Sequence, residues 1–217
     1  MSSYTSQLFS SGRSYLSTSP PNSFTGSQLG GLFSCIKPPI PAKINQIRDV
    51  DWTYQRQTRA GIIPYYIQDG MIYFCLAKDT NFKNLTDFGG GVKQTDLDPV
   101  HAALREFHQE SLAIFGELTI ENIQSSFVIF NYDMLIIFHR VEVIDQVALH
   151  ETFHQRCQAL IANNDEVEVN DIQWHDENDF SHMVATAASS LYMRVRSLLD
   201  KKMCILLQKL KQLAYTN

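Results

Sequence analysis

The amino-acid sequence predicts a mixed α/β domain that follows a disordered leader. Strand-forming runs alternate with helical patterns after residue 59. Hydrophobic residues make up 44% of the chain, which is enough for a genuine core. The first 31 residues are rich in Ser, Thr, Gly and Pro and lack a core-forming pattern. The predicted organisation is a leader at 1–31, a Pro-containing connector at 32–58, a core domain at 59–180 and a basic amphipathic helix at 181–217.

The strand predictions rest on runs of β-branched and aromatic residues that are bounded by turn residues. Asp69-Gly70 has the turn chemistry that joins the first two runs into a hairpin. The predicted strands are residues 60–67, 71–76, 84–88, 126–130, 134–143 and 166–175. Three glycines, 89–91, follow the third run, and glycine lets a backbone approach a ligand closely.

The helix predictions rest on capping residues and apolar periodicity. Asp98 precedes Pro99, which places a good cap before the residue that best suits the first helical position. The predicted helices are residues 99–113, 145–161 and a last one from 179 or 181 to 213. The last helix has a basic face and an apolar stripe, so it packs on the domain or contacts RNA, an acidic partner or a second copy.

Charge and cysteine usage exclude several classes of protein. The net charge of -5 argues against binding nucleic acid through bulk electrostatics, so an anionic substrate would need a bridging divalent cation. The four cysteines are widely separated and form no zinc knuckle or redox pair, which fits a reducing cytoplasm. No apolar run of 18 residues and no secretory signal is present, so we expect no membrane association.

The helix at 99–113 carries the residues that suit metal chemistry. Glu106, Gln109 and Glu110 are spaced i, i+3, i+4 and therefore share one face. Two carboxylates and an amide on a rigid helix, beside a glycine loop that the free N–H groups of the helix start face, suit Mg²⁺ or Mn²⁺ with a phosphate substrate. The alternative is an ordinary surface helix whose charges are solvated.

This segment resembles the Nudix hydrolases, whose box reads G-x5-E-x7-R-E-U-x-E-E-x-G-U, where U is bulky and apolar. The matching residues, at the expected spacing, are Gly91, Arg105, Glu106, Phe107 and Glu110. Residues 60–62 and the positions Trp174, Asp179 and Phe180 also resemble parts of that family. The resemblance implies a Nudix α/β/α sandwich with a mixed sheet over about residues 59–180.

The resemblance also implies an activity, which is cleavage of a diphosphate bond in a nucleoside diphosphate linked to another group. The substrate would be a small nucleotide derivative or capped RNA. The resemblance leaves undecided whether the protein forms a homodimer. Glu106 and Glu110 would be metal ligands, and Gln109 a weak or water-mediated one. Arg105 would orient the carboxylates as part of the catalytic set.

Backbone groups complete this implied site. Gly90 and Gly91 would contact the phosphates of the substrate through the main chain.

The sequence departs from the box at Leu97, Gln109 and Leu112, which replace two glutamates and a glycine. Asp96 is one residue from the first of these positions and is expected to substitute for the missing glutamate. Gln109 brings no charge, so the resemblance implies that Glu166 or Glu168 assists the metal. A second hypothesis is therefore a Nudix-fold binding module that has lost hydrolysis and holds a nucleotide, RNA or protein partner.

A zinc-protease motif, H-E-x-x-H, occurs at residues 150–154. His150 and His154 are four residues apart and therefore share one face of a predicted helix. No third ligand is indicated downstream, so a zinc peptidase is the weakest of the three hypotheses.

Overall fold

The computed structural model describes residues 41–142 and 145–214. The predicted leader and the first part of the connector lie outside these ranges. The strands are β1 Lys43–Gln46, β2 Arg59–Gln68, β3 Met71–Asp79, β4 Leu85–Thr86, β5 Phe88–Gly91, β6 Phe127–Phe130, β7 Met134–Arg140 and β8 Val169–Asp176. The α-helices are α1 Pro99–Glu110, α2 Ile120–Ile123, α3 Gln146–Ala162, α4 Glu177–Ala185, α5 Met193–Leu199 and α6 Met203–Ala214.

These eight strands form one mixed sheet with β2 at its centre. The order is β1-β6-β7-β2-β3-β4, while β5 pairs with β2 and β8 pairs with β3. Strand β2 runs parallel to β7 and antiparallel to both β3 and β5. On one edge of β2, its first residues pair with β5 and its last residues pair with β3. Strand β2 therefore joins β5 and β3 within the sheet.

The core occupies both faces of the sheet. Neighbouring residues of β2 point to opposite faces, as Ile62 and Ile63 show, and both are fully buried. Phe107 of α1 and Phe153 of α3 pack on the face of Ile62. The helices α4, α5 and α6 pack on the other face. The predicted α/β/α sandwich with a mixed sheet is therefore confirmed.

The predicted C-terminal helix is three helices rather than one. Between α4 and α5 the backbone follows β4, because Leu85 N donates to Ser190 O at 2.9 Å and Tyr192 N donates to Leu85 O at 2.7 Å. Extended pairing of this kind is incompatible with a continuous helix. The apolar stripe of the segment is buried against the sheet, so packing on the domain is the alternative that the structure supports.

Part of the predicted connector belongs to the sheet. Strand β1 pairs antiparallel with β6, and Ile47 is buried just after it. Trp52 packs edge-on against Phe130 and donates from Nε1 to Ile47 O at 3.0 Å. A strand of four residues is too short for periodicity to indicate.

The three glycines form strand β5 and not the loop that the sequence suggests. Gly89 pairs with Gly61 of β2, and the two backbones approach closely beside the buried side chain of Asp87. A Cβ on Gly61 would lie 1.9 Å from Asp87 Oδ2, and a Cβ on Gly90 would lie 2.6 Å from the carboxyl carbon of Glu106. Glycine is needed here because carboxylates fill the space that side chains would take.

None of the helices in the described part of the chain combines the length and the apolar character that crossing a membrane requires.

The close approach of β2 and β5 predicts unequal effects of two glycine substitutions. Gly61→Ala should lower the free energy of unfolding by about 3 kcal/mol, since its Cβ displaces the Asp87 carboxylate. Gly91→Ala should change it by less than about 0.5 kcal/mol, because no atom lies within 4 Å of its added Cβ. Urea unfolding of both variants measures the difference, and equal stability would contradict the packing described.

Candidate functional site

Helix α1 begins as the sequence predicts and ends earlier. The Asp98 side chain accepts from Val100 N at 2.8 Å and from His101 N at 2.9 Å, and Pro99 is the first helical residue. The helix ends at Glu110 instead of Ala113, because Leu112 and Ala113 adopt left-handed φ values of 53° and 55°. Leu112 stands at the glycine position of the box, and its backbone has the conformation that favours glycine.

Arg105 lies in α1, and its side chain binds the segment that precedes this helix. Its Nε and Nη2 donate to the two carboxylate oxygens of Asp96, each at 2.9 Å, and Nη2 also donates to Gly91 O at 3.0 Å. Its Nη1 donates to Glu106 Oε1 at 2.6 Å. Leu97 is 84% exposed and makes no such contact. Asp96, and not Leu97, is therefore the acidic partner of Arg105 in the segment before the helix.

Arg105 forms ion pairs with two acidic groups, Asp96 and Glu106. Hydrogen bonding from Arg105 lowers the pKa of Asp96 below its ordinary value. The same bond to Asp96, together with the bond to Glu106, raises the pKa of Arg105. Glu106 is only 8% exposed, and its carboxylate lies in the space that the missing side chain of Gly90 leaves free. The Glu106 carboxylate is therefore held by Arg105 on one side and enclosed by Gly90 on the other.

Glu110 has a different environment from Glu106. Its Oε2 accepts from the backbone N–H of Gly89 at 2.6 Å. Burial, and then the charge of Asp87, raise the pKa of Glu110 from 4.5 to about 9, although the Gly89 N–H and Arg59 oppose the shift. A carboxyl group of this kind stays protonated near neutral pH unless a cation stabilises its charged form.

A buried ion pair lies behind Glu110, and the sequence analysis missed it. Arg59 Nη1 donates to both carboxylate oxygens of Asp87, at 2.7 and 2.6 Å, and Arg59 Nη2 donates to Gly89 O at 2.8 Å. Thr86 Oγ1 donates to Asp87 Oδ1 at 2.8 Å. A signal was available, since Arg59 directly precedes the predicted strand 60–67 and Asp87 lies within the predicted strand 84–88, and charges buried with such runs require a partner.

The acidic residues of α1 line a cleft of about 140 Å³, which we call the acidic cleft. Its lining includes Glu106, Gln109 and Glu110 from α1, and Glu166 and Glu168 from the segment before β8. The assisting glutamates that the resemblance implies therefore lie at the same cleft. Gln109 Oε1 accepts from Arg105 Nη1 at 3.3 Å.

A second cleft of about 180 Å³ adjoins the first and shares Glu110 and Glu168 with it. Its remaining wall includes Arg59, Tyr192 and Phe82, whose ring is 78% exposed. We call this the aromatic cleft. The arrangement can hold a cation among carboxylates and place a larger group beside it.

A third side chain that could bind a metal lies beside the H-E-x-x-H segment in the fold. His150 and His154 lie on α3, and Asp171 of β8 faces both of them. The sequence does not indicate this third group, because Asp171 comes close only when β8 packs against α3.

Comparison with known proteins gives similar solved structures. No family model matches the chain, and no curated protein matches it. The C. elegans Ap4A hydrolase in a binary complex is 18% identical, with 68% of this chain and 96% of that chain covered and a TM-score of 0.41. The Nudix hydrolase RenU from M. smegmatis is 12% identical, with 75% and 89% covered and a TM-score of 0.39.

The NUDIX domain of Shewanella oneidensis NrtR, solved with ADP ribose, is also similar. It is 7% identical, with 69% of this chain and 90% of that chain covered and a TM-score of 0.37. Nudix proteins are thus among the similar structures, as the box indicates, but at these identities and TM-scores the likeness assigns no activity to this chain.

The contacts of Arg105 predict that Asp96, and not Leu97, stabilises the packing of the segment before α1 against this helix. Asp96→Ala should lower the free energy of unfolding by about 1–3 kcal/mol, because two charge-assisted hydrogen bonds are lost. Leu97→Ala, one residue away and exposed, should change it by less than about 0.5 kcal/mol. Urea unfolding measures the free energy of unfolding of both variants. A larger loss in Leu97→Ala than in Asp96→Ala would contradict the prediction.

The raised pKa of Glu110 predicts that the metal-free protein loses stability as pH rises. The unfolded chain releases this proton near pH 4.5 and the folded chain near pH 9, so between these values the unfolded state binds fewer protons. Stability should therefore fall from pH 5 to pH 9, and Glu110→Gln should flatten that fall. Urea unfolding with a chelator measures it, with the exposed Glu117→Gln as control. An unchanged slope in Glu110→Gln would contradict the prediction.

Proposed function

We propose that this chain is a Nudix-type hydrolase that uses Mg²⁺ or Mn²⁺ to cleave a diphosphate bond in a nucleoside diphosphate linked to another group. The observation that carries the proposal is the acidic cleft. There Glu106 and Glu110, on one face of α1, lie opposite Glu166 and Glu168. The resemblance of the box supplies the reaction class, and the geometry of the cleft supports it.

The charges of the cleft fit a divalent cation. Arg105 is paired with Asp96 and Glu106, and Arg59 is paired with Asp87. Among the described residues, the buried carboxyl group of Glu110 accepts a hydrogen bond from the backbone N–H of Gly89, and the two further glutamates add negative charge. In the described residues these carboxylates do not form a tight three-donor cluster. This suits Mg²⁺, which keeps several waters and shares substrate oxygens.

Each residue of the cleft then has a role. Glu106 and Glu110 hold the metal, and Gln109 contributes a neutral oxygen. Arg105 fixes the orientation of the Glu106 carboxylate through its 2.6 Å hydrogen bond. Glu168 lines both clefts and is the candidate base for the attacking water. When bound, the metal would polarise the phosphoryl oxygens and lower the pKa of water.

The substrate would extend from the acidic cleft into the aromatic cleft. The exposed ring of Phe82 and the ring of Tyr192 offer faces on which a nucleobase can stack, and the diphosphate would then lie near Glu110. Gly91 has open space around its Cα and keeps its proposed role as a backbone contact to phosphate. Gly90 keeps the same proposed role, and its missing side chain also admits the Glu106 carboxylate.

One observation favours the alternative of a binding module without hydrolysis. Gln109 stands where the box has a glutamate, and its side-chain oxygen accepts a hydrogen bond from Arg105 instead of carrying charge. A site with one charge fewer binds a divalent cation more weakly. The alternative predicts that ligand still binds but is not cleaved.

A hydrolysis screen tests the proposal. Nucleoside diphosphate derivatives are incubated with Mg²⁺ or Mn²⁺, and the release of nucleoside phosphates is measured. Glu110→Gln should lose about 100-fold or more in turnover, because several kcal/mol of transition-state stabilisation depend on the metal. Glu117→Gln should be unchanged, and Phe82→Ala should raise KM more than it lowers kcat.

Gln109→Glu separates the two hypotheses within the same screen. In an active enzyme the added charge should tighten metal binding and raise turnover. In a binding module it should tighten metal binding without any hydrolysis. Leu97→Glu should add nothing to either result, since Asp96 already pairs with Arg105. Absence of cleavage by wild type and by Gln109→Glu would leave only the binding module.

A further inference from the structure

Three side chains that could bind a metal converge where α3 packs against β8, and none of them lines the acidic cleft. His150 Nε2 lies 2.9 Å from Asp171 Oδ1, His154 Nε2 lies 3.3 Å from the same oxygen, and the two Nε2 atoms are 3.1 Å apart. We propose that His150, His154 and Asp171 form a second metal site, which takes Zn²⁺. We call it the His-Asp site.

The distances among the three donor atoms fit a tetrahedral ion. Zn²⁺ holds nitrogen and oxygen ligands at about 2.0–2.1 Å, so its tetrahedral donor atoms are about 3.3 Å apart. The three observed separations are 2.9, 3.1 and 3.3 Å. One ion above the triangle of donors can therefore reach all three with little movement of the side chains.

A single hydrogen bond does not engage all three donor atoms. Two ring nitrogens and one carboxylate oxygen lie within 3.3 Å of one another, and each Nε2 carries at most one proton. If His150 donates to Asp171, the lone pair or proton of His154 Nε2 still faces both of these atoms. A cation at the centre satisfies all three donor atoms at once.

The chemistry of the donors selects the kind of ion. Two imidazoles and one carboxylate suit Zn²⁺, whereas Mg²⁺ prefers oxygen ligands only. The acidic cleft offers oxygen ligands only, so the two sites are chemically distinct. The histidine side chains are 45% and 40% exposed, which leaves solvent access to a fourth ligand position.

Neighbouring groups hold the carboxylate in position. Gln173 Nε2 donates to Asp171 Oδ2 at 3.2 Å, and Lys78 Nζ lies 3.9 Å from the same oxygen. Oδ2 is thereby occupied, and Oδ1, which also accepts from Ile172 N at 2.9 Å, faces the histidines. Partners that orient a ligand in this way are usual around bound metals.

A structural role fits this site better than peptidase chemistry. Glu151, which would be the general base of a zinc peptidase, is exposed on α3 and is not part of the converging group. The ion would instead join α3 to β8. The segment between them, residues 163–168, carries Glu166 and Glu168 of the acidic cleft, so the ion would also restrain that segment.

Zinc binding to the full chain tests the proposal. We expect one Zn²⁺ per chain by calorimetry, and Co²⁺ in its place should give the absorption of tetrahedral coordination. His154→Ala and Asp171→Asn should each weaken Zn²⁺ binding more than about 100-fold, since even outer partners of a metal contribute 10–100-fold. Circular dichroism verifies that both variants fold.

Two further variants locate the ion. His182→Ala removes an exposed histidine on α4 and should leave Zn²⁺ binding unchanged. Glu110→Gln alters the acidic cleft and should also leave it unchanged. The proposal is overturned if wild type binds no stoichiometric Zn²⁺, if His154→Ala binds it as well as wild type does, or if Glu110→Gln is the variant that loses it.

Discussion

The buried ion pair of Arg59 and Asp87 is the interaction on which the site depends. It lies where β2 and β5 approach closely enough to exclude side chains, so both strands have glycine there. Arg59 also binds the carbonyl of Gly89, whose N–H binds Glu110. The pair thus fixes the strand that receives Glu110, and the charge of Asp87 helps to raise the pKa of that carboxyl group.

Two arginines, Arg59 and Arg105, form ion pairs with three of the acidic residues around the site, whereas Glu110 has no such pair among the described residues. Arg59 pairs with Asp87 inside the sheet. Arg105 pairs with Asp96, which precedes α1, and with one carboxylate oxygen of Glu106. Neither one forms an ion pair with Glu110 in the structure. Because burial makes its negative charge costly, Glu110 is the group that gains most from a bound cation. Under our proposal both glutamates, one held by Arg105 and the other by the Gly89 N–H, bind the metal.

The proposed zinc site and the acidic cleft meet at one segment of chain. Helix α3 and strand β8 carry the three donors of the His-Asp site, and the residues between these elements carry Glu166 and Glu168. An ion that joins the helix to the strand would reduce the freedom of that segment. The ordering entropy of the two glutamates would then be lower when the cleft binds its own ion.

Local signals determined much of this protein from sequence alone. The cap at Asp98, the shared face of Glu106 and Glu110, the contact of Asp96 with Arg105 and the strand and turn at residues 60–70 all depend on residues close in the chain. Only the tertiary structure brought Arg59 to Asp87, Asp171 to His150, and the segment 190–192 to β4, where it interrupts the predicted helix. These contacts join residues 21 to more than 100 positions apart, and no periodicity or spacing encodes which distant charges or backbone groups will meet.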